Sequence, residues 1–117
     1  MLITSRLSPV VVRRAADLKI MHVYQGTHDK RVAFADLLET TGFTAEQCGY
    51  IGDDVIDLPL LLQVGFAVTV PTGHAETQQR VHYVTKAPGG RGAVREVCDM
   101  VMRAQGNYDA ALAPYFA

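Results

Sequence analysis

The sequence has little that would commit it to a membrane, a nucleic acid or an oxidising compartment. No apolar run approaches the ~20 residues that a membrane-spanning helix needs. Eleven Lys and Arg stand against twelve Asp and Glu, a formal charge of -1. With no cationic excess to release counterions from a phosphate backbone, a nucleic-acid-coating role is excluded. Cysteine is scarce: Cys48 and Cys98 could form one bridge but not a disulfide scaffold, and two buried thiols of a cytoplasmic protein are the expectation. The opening stretch Met1–Arg6 turns charged too early to read as a signal peptide. Low-complexity segments, repeats and linkers are also missing. What remains is 117 residues at 49% hydrophobic and 20% charged, the composition of one globular domain.

Apolar runs alternate with helix-period segments, the pattern of an α/β fold. Met1–Ile3 reads as the last part of a buried strand, and Ser8-Pro9 opens a helix over about 9–18. A strand at His22–Tyr24 follows. Thr27 is placed to cap the next helix, whose Phe34, Leu37, Leu38 and Thr41 share a face and which Gly42 ends. Thr44–Gln47 has capping-box spacing over a single turn. The spacing then predicts a strand over 48–51, a helix over about 55–63 stopping at Gly65, a strand over 66–70, a weak helix near 75–79 and a strand over 81–85. A glycine-rich loop over 86–92 precedes the last helix, with Val94, Val97, Cys98 and Val101 on its buried stripe. Residues 106–117 read as a loose tail. Short strands linked by helices pair in parallel, with chemistry at their carboxyl ends.

Three polar signals fall at those ends: Thr4-Ser5-Arg6, Thr27 to Lys30, and Gly52-Asp53-Asp54. The strongest is Tyr50–Asp57, with three carboxylates in five residues after a buried strand. Adjacent carboxylates repel, and a divalent cation removes that cost; Mg²⁺ prefers few carboxylates, several waters and a phosphate oxygen. The alternative is capping, with Asp54 as N-cap and Asp57 in the first turn. Lys30 could hold charge on a phosphoryl group. Thr4 and Ser5 offer hydroxyls and N–H groups to an anion, or merely a turn. The four histidines form no metal set; His28 alone is near Lys30 in sequence.

Thr/Ser after a strand, then Lys, then Gly-Asp-Asp resembles the second to fourth motifs of the haloacid dehalogenase superfamily of phosphotransferases. Ile3–Arg6, His22–Gly26, Asp29-Lys30, Tyr50–Asp57 with Pro59, His82–Thr85 and Gly89–Asp99 resemble its small capless branch, the 3-deoxy-D-manno-octulosonate 8-phosphate phosphatases. Ser5 stands where that family usually has glycine. The likeness covers about residues 2 to 105, and its most specific parts are Gly52–Asp57 and Gly89–Glu96. It implies a Rossmann-like three-layer fold with a mainly parallel sheet, and a Mg²⁺-dependent phosphatase acting on a phosphorylated sugar acid. Thr4 would hydrogen-bond a phosphoryl oxygen, and Lys30 would neutralise the phosphoryl group and orient the nucleophile. Asp53 would ligate Mg²⁺, with Asp54 and Asp57 behind it. Ser5, Arg6, Arg14 and Arg91 would face the anionic substrate. A cytoplasmic homo-tetramer serving lipopolysaccharide synthesis is also implied, with no nucleic-acid or membrane partner.

The family's first motif, Asp-x-Asp, supplies the nucleophile and the general acid and base. Only three residues precede Thr4, so the chain reads as the carboxyl-terminal part of one such domain, incomplete by its first central strand and expected to be inactive alone. That strand would lie between those ending at Thr4 and at Gly52, so the gap is expected to be filled by protein outside this sequence, another chain or rearranged pairing. A non-catalytic phosphate-binding or assembly module of the same fold is the alternative, as is a phosphatase for nonulosonate phosphates. A receiver domain is disfavoured by motif order, because Thr4 and Lys30 precede Asp53-Asp54.

Overall fold

Two parallel sheets, not one, organise the computed structural model, which describes residues 1–117. β1 (Leu2–Ile3) pairs with β2 (Val23–Tyr24), while β3 (Gly49–Ile51), β4 (Phe66–Thr69) and β5 (Tyr83–Val84) form the second sheet in that order. No ladder joins β1 to β3. Rearranged pairing therefore does not close the gap expected between them. β4 is central and buried along Ala67–Thr69, as its run of small and β-branched residues requires of a strand covered on both faces.

The helices alternate with the strands as the patterning requires. α1 (Pro9–Asp17) starts with proline at its first position, where no N–H is needed. Ser8 is its N-cap by position, but its hydroxyl does not cap; its backbone N–H instead donates to Gln25 Oε1 at 2.8 Å. α2 (Lys30–Thr41) is capped by Asp29 rather than Thr27. The Asp29 carboxylate accepts from the Arg31 N–H at 3.0 Å and also pairs with the Arg31 guanidinium. Gly42 ends α2 at φ +76°, a left-handed conformation that suits glycine.

The helix expected over 55–63 is split into a 3₁₀ turn at Val55–Asp57 and α3 (Leu58–Leu61). Pro59 restricts the residue before it, and the acidic pair caps a tighter turn. α4 (Ala75–Gln78) and α5 (Ala93–Ala104) follow. The 106–117 stretch is not a loose tail: α6 (Tyr108–Leu112) leads into a turn at Ala113–Tyr115, and the Arg103 guanidinium lies 4.2 Å from the Tyr108 ring centre.

Phe34 and Leu37 of α2, Leu60 and Leu61 of α3, Val64 and Ala67 form the core, and Ile3, Tyr24 and Tyr50 pack against it. One helical layer thus holds both sheets. Each fully buried leucine contributes about 1.5–3 kcal/mol by leaving water. The stripe expected on α5 is only partly buried: Ala93 and Val97 are inside, whereas Val94 is 62% exposed and Cys98 is exposed. Cys48 is half-buried and both thiols are free, so neither matches the buried-thiol expectation. No helix is long and apolar enough to cross a membrane.

Candidate active site

The carboxyl ends of β1 and β3 meet a cleft of about 260 Å³ whose lining includes Ile3, Lys30, Asp53, Asp57 and Gly89-Gly90. α2 brings Lys30 there at its first position, one residue after the cap. The Lys30 ammonium lies 2.6 Å from Asp57 Oδ1, with side-chain exposures of 10% and 4%. Tyr50, from β3, donates its hydroxyl to the same oxygen at 2.9 Å and accepts from Lys30 at 3.4 Å.

The other carboxylate oxygen, Oδ2, accepts the backbone N–H groups of Asp53 at 3.0 Å and Asp54 at 3.2 Å. Burial pushes the Asp57 carboxyl up, but the hydrogen bonds from Lys30, Tyr50 and the Asp54 N–H, with the Lys30 charge, outweigh it. The net direction is below the usual carboxylate value. Burial and then the Asp57 charge push the Tyr50 hydroxyl well above its ordinary value, so it stays a donor.

The three clustered carboxylates have divided roles. Asp57 anchors the loop. Asp54 accepts from the Val55 N–H at 2.7 Å and completes a capping box with Asp57, as the capping alternative requires. Asp53 bonds through its backbone alone, its N–H to Asp57 and its carbonyl from the His74 N–H at 2.8 Å, and its side chain is exposed. Gly52 is needed beside this anchor: a Cβ there would sit 2.6 Å from Asp57 Cγ and 2.8 Å from Oδ2.

No three His, Cys, Asp or Glu side chains in the chain group as a metal set. With Asp57 saturated and Asp54 capping, Asp53 is the one carboxylate of the three with its oxygens free. A single carboxylate fits Mg²⁺ as one ligand among waters and a phosphate oxygen.

The remaining expected residues are less gathered. Thr4 Oγ1 accepts from the Arg6 N–H at 3.2 Å, the turn alternative, which leaves its hydroxyl proton to donate. Thr4, Ser5, Arg6, Arg14 and Arg91 do not line the cleft, and all but the half-buried Thr4 are exposed. His28 is exposed too. His74 accepts from the Glu76 N–H and His82 from the Ala67 N–H, both structural uses.

Two residues inside the quoted motif segments carry roles that the sequence does not assign to them. Tyr50, at the head of Tyr50–Asp57, bridges Lys30 and Asp57. Glu96, on α5, accepts from the Tyr83 hydroxyl at 2.6 Å and from the N–H groups of Lys86 and Ala87, so it ties down the glycine-rich loop that reaches the cleft. The Tyr83 hydrogen bond, with those from Ala87 and Lys86, holds the Glu96 carboxyl below its usual value.

A family model for haloacid dehalogenase-like hydrolases matches residues 5–96. The chain belongs to that family. It is 47% identical over 110 residues to the 3-deoxy-D-manno-octulosonate 8-phosphate phosphatase KdsC of Escherichia coli K12, covering 94% of this chain and 58% of the relative. Among solved structures, the Moraxella catarrhalis 3-deoxy-D-manno-octulosonate 8-phosphate phosphatase, in complex with magnesium ion, phosphate ion and KDO, superposes at TM-score 0.93. It is 43% identical, over 97% of this chain and 65% of that one. The Yersinia pestis enzyme of that name superposes at TM-score 0.90 and is 48% identical, over 92% of this chain and 58% of that one. The chain thus spans a little under two thirds of the length of these relatives. The likeness settles the α/β haloacid dehalogenase-like fold expected above.

Proposed function

We propose that the chain forms the lysine-bearing and Asp53-bearing part of a Mg²⁺-dependent phosphatase that hydrolyses 3-deoxy-D-manno-octulosonate 8-phosphate to the free sugar acid and phosphate. The observation that carries this reading is the Lys30–Asp57–Tyr50 cluster at the strand ends with Asp53 beside it. The names of the relatives support the substrate.

In this reading Lys30, held by Asp57 and Tyr50, presents a fixed positive charge to the phosphoryl oxygens. Thr4 donates its hydroxyl to one of them. Asp53 ligates Mg²⁺, which when bound offsets phosphoryl charge, while Asp54 and Asp57 hold the Asp53 loop without ligating. Ser5 and the exposed guanidiniums of Arg6, Arg14 and Arg91 recognise the anionic sugar acid. The enzyme works as a cytoplasmic homo-tetramer in lipopolysaccharide synthesis. The 117 residues by themselves are expected not to turn over, because they hold no Asp-x-Asp pair to supply the nucleophile.

The test compares the chain alone with the chain joined to the amino-terminal segment of the Escherichia coli relative, assaying phosphate release with Mg²⁺. The joined protein is expected to hydrolyse the octulosonate phosphate, lose activity with a chelator and lose it in Asp53→Asn. Turnover by these 117 residues alone would refute their expected inactivity. A joined protein that prefers nucleotides or nonulosonate phosphates would refute the substrate. A joined protein that folds, binds phosphate and never hydrolyses it is instead the non-catalytic module.

A further inference from the structure

The glycine-rich loop over 86–92 is fastened across its two ends by one side chain. The loop leaves β5 through Thr85, a buried residue whose hydroxyl donates to the Ala87 carbonyl at 2.7 Å, and it runs directly into α5. Glu96, in the first turn of α5, reaches back to the start of the loop. Its Oε1 accepts the Ala87 N–H at 2.9 Å; its Oε2 accepts the Lys86 N–H at 2.9 Å and the Tyr83 hydroxyl at 2.6 Å. Hydrogen bonds to an ionised carboxylate are roughly twice as strong as neutral ones. Between the fastened ends little holds the chain. The Arg91 N–H makes one turn bond to the Pro88 carbonyl at 3.1 Å, and Gly90 and Gly92 both sit at positive φ, with the conformational freedom that glycine brings.

This loop borders the Lys30–Asp53 cleft through Gly89 and Gly90. Neither of their N–H groups donates to any group in the chain, so both are open to an acceptor such as a hydroxyl or carboxylate of a ligand. Arg91, given to the sugar acid in the reading above, rides on the same loop. The other side of the cleft is held separately. Lys30 is fixed by Asp57 and Tyr50, and the Asp53 backbone by Asp57 and His74. None of these partners lies in the loop, and none touches Glu96. The phosphoryl side and the loop side of the cleft therefore depend on different anchors.

Resting on the family reading above, we infer that Glu96 is a positioning residue for the sugar-acid end of the substrate. With Tyr83 it sets the loop that carries Gly89, Gly90 and Arg91 before the ligand arrives, while Lys30 and Asp53 serve the phosphoryl end without it. Its contribution is preorganisation. A loop already fixed loses no backbone freedom when the sugar acid binds; a loop released by loss of Glu96 must be ordered at that moment. Ordering the backbone of a single residue is worth about a factor of ten in affinity. The effect falls on the sugar acid and spares phosphate.

The test uses the joined protein described above and titrates it calorimetrically, with Mg²⁺ present, against free 3-deoxy-D-manno-octulosonate and, separately, inorganic phosphate. Glu96→Gln is expected to weaken the sugar acid about tenfold or more and to leave phosphate unchanged. Tyr83→Phe removes one donor of three and is expected to weaken the sugar acid about threefold. Asp99→Asn is the control: it breaks the Arg95 pair on the same helix without touching the loop, and is expected to change neither affinity. Unchanged amide exchange across β4 shows that a variant is folded; if Glu96→Gln is not, Tyr83→Phe decides. Equal losses for both ligands, an unchanged sugar-acid affinity, or the same loss in Asp99→Asn overturns the inference, as does an unsubstituted joined protein that binds neither ligand. The readout needs no turnover. A joined protein that shows the selective loss but never hydrolyses substrate keeps the positioning role and removes the phosphatase. An active one whose KM for the octulosonate phosphate does not move in Glu96→Gln removes the positioning role alone.

Discussion

Asp57→Asn isolates the anchor on which the site geometry depends. The change keeps volume but removes the charge facing Lys30 at 2.6 Å in a pair whose side chains are 10% and 4% exposed. It also sets an amide N–H₂ group against either the Lys30 and Tyr50 donors or the N–H groups of Asp53 and Asp54. Removing one partner of a buried ion pair costs about 3–5 kcal/mol, and the stranded backbone donors are part of that cost. Taking about 3 kcal/mol and a urea slope of about 1.5 kcal/mol per molar, the midpoint should fall by about 2 M.

The pH dependence supplies a control. The folded Asp57 carboxyl sits below its unfolded value of about 3.9, so its contribution is complete above that pH and is lost as the pH falls through the folded value. The gap between wild type and Asp57→Asn should therefore be constant at neutral pH and close below about pH 4. A midpoint within 0.3 M of wild type at pH 7 (about 0.5 kcal/mol on that slope), or a gap that does not narrow in acid, would refute the anchoring argument.

Three further outcomes are expected. Gly52→Ala forces a methyl group against Asp57 and should cost about 3 kcal/mol, the upper end for overpacking, read by urea denaturation. Asp29→Ala removes the α2 cap and should cost about 1 kcal/mol, lowering Tm by about 4 °C in a thermal melt, whereas Thr27→Ala should leave Tm unchanged. Glu96→Gln weakens the tie to the glycine-rich loop, so the Lys86 and Ala87 amides should exchange about an order of magnitude faster while those of β4 do not change.

Local chemistry made much of this fold readable. The Thr44–Gln47 capping box, the Gly42 stop and the proline opening α1 each stand where expected, because each is decided by neighbours in sequence. The errors came where tertiary choices decide. Thr27 and Asp29 are both cap residues; only Asp29 gains both the Arg31 N–H and its guanidinium. The α5 stripe was legible as apolar, but burial also depends on what stands opposite, and Val94 faces the open cleft. Lys30 and Asp57 were both picked out, yet no local rule pairs residues 27 apart, or brings a strand tyrosine between them. Glu96 was likewise invisible as a loop support, since its partners lie nine and more residues upstream.

The pinned backbone of Asp53 has an entropic consequence. Fixing one residue's backbone costs roughly 1–2 kcal/mol; at Asp53, folding has already done it, through Asp57 on one side and His74 on the other. A cation arriving there has only side-chain torsions left to freeze. On the proposed role of Asp53 as a ligand, cation affinity there is coupled to residues that never touch the ion, and a substitution that loosens Asp57 is expected to weaken binding with Asp53 itself unchanged.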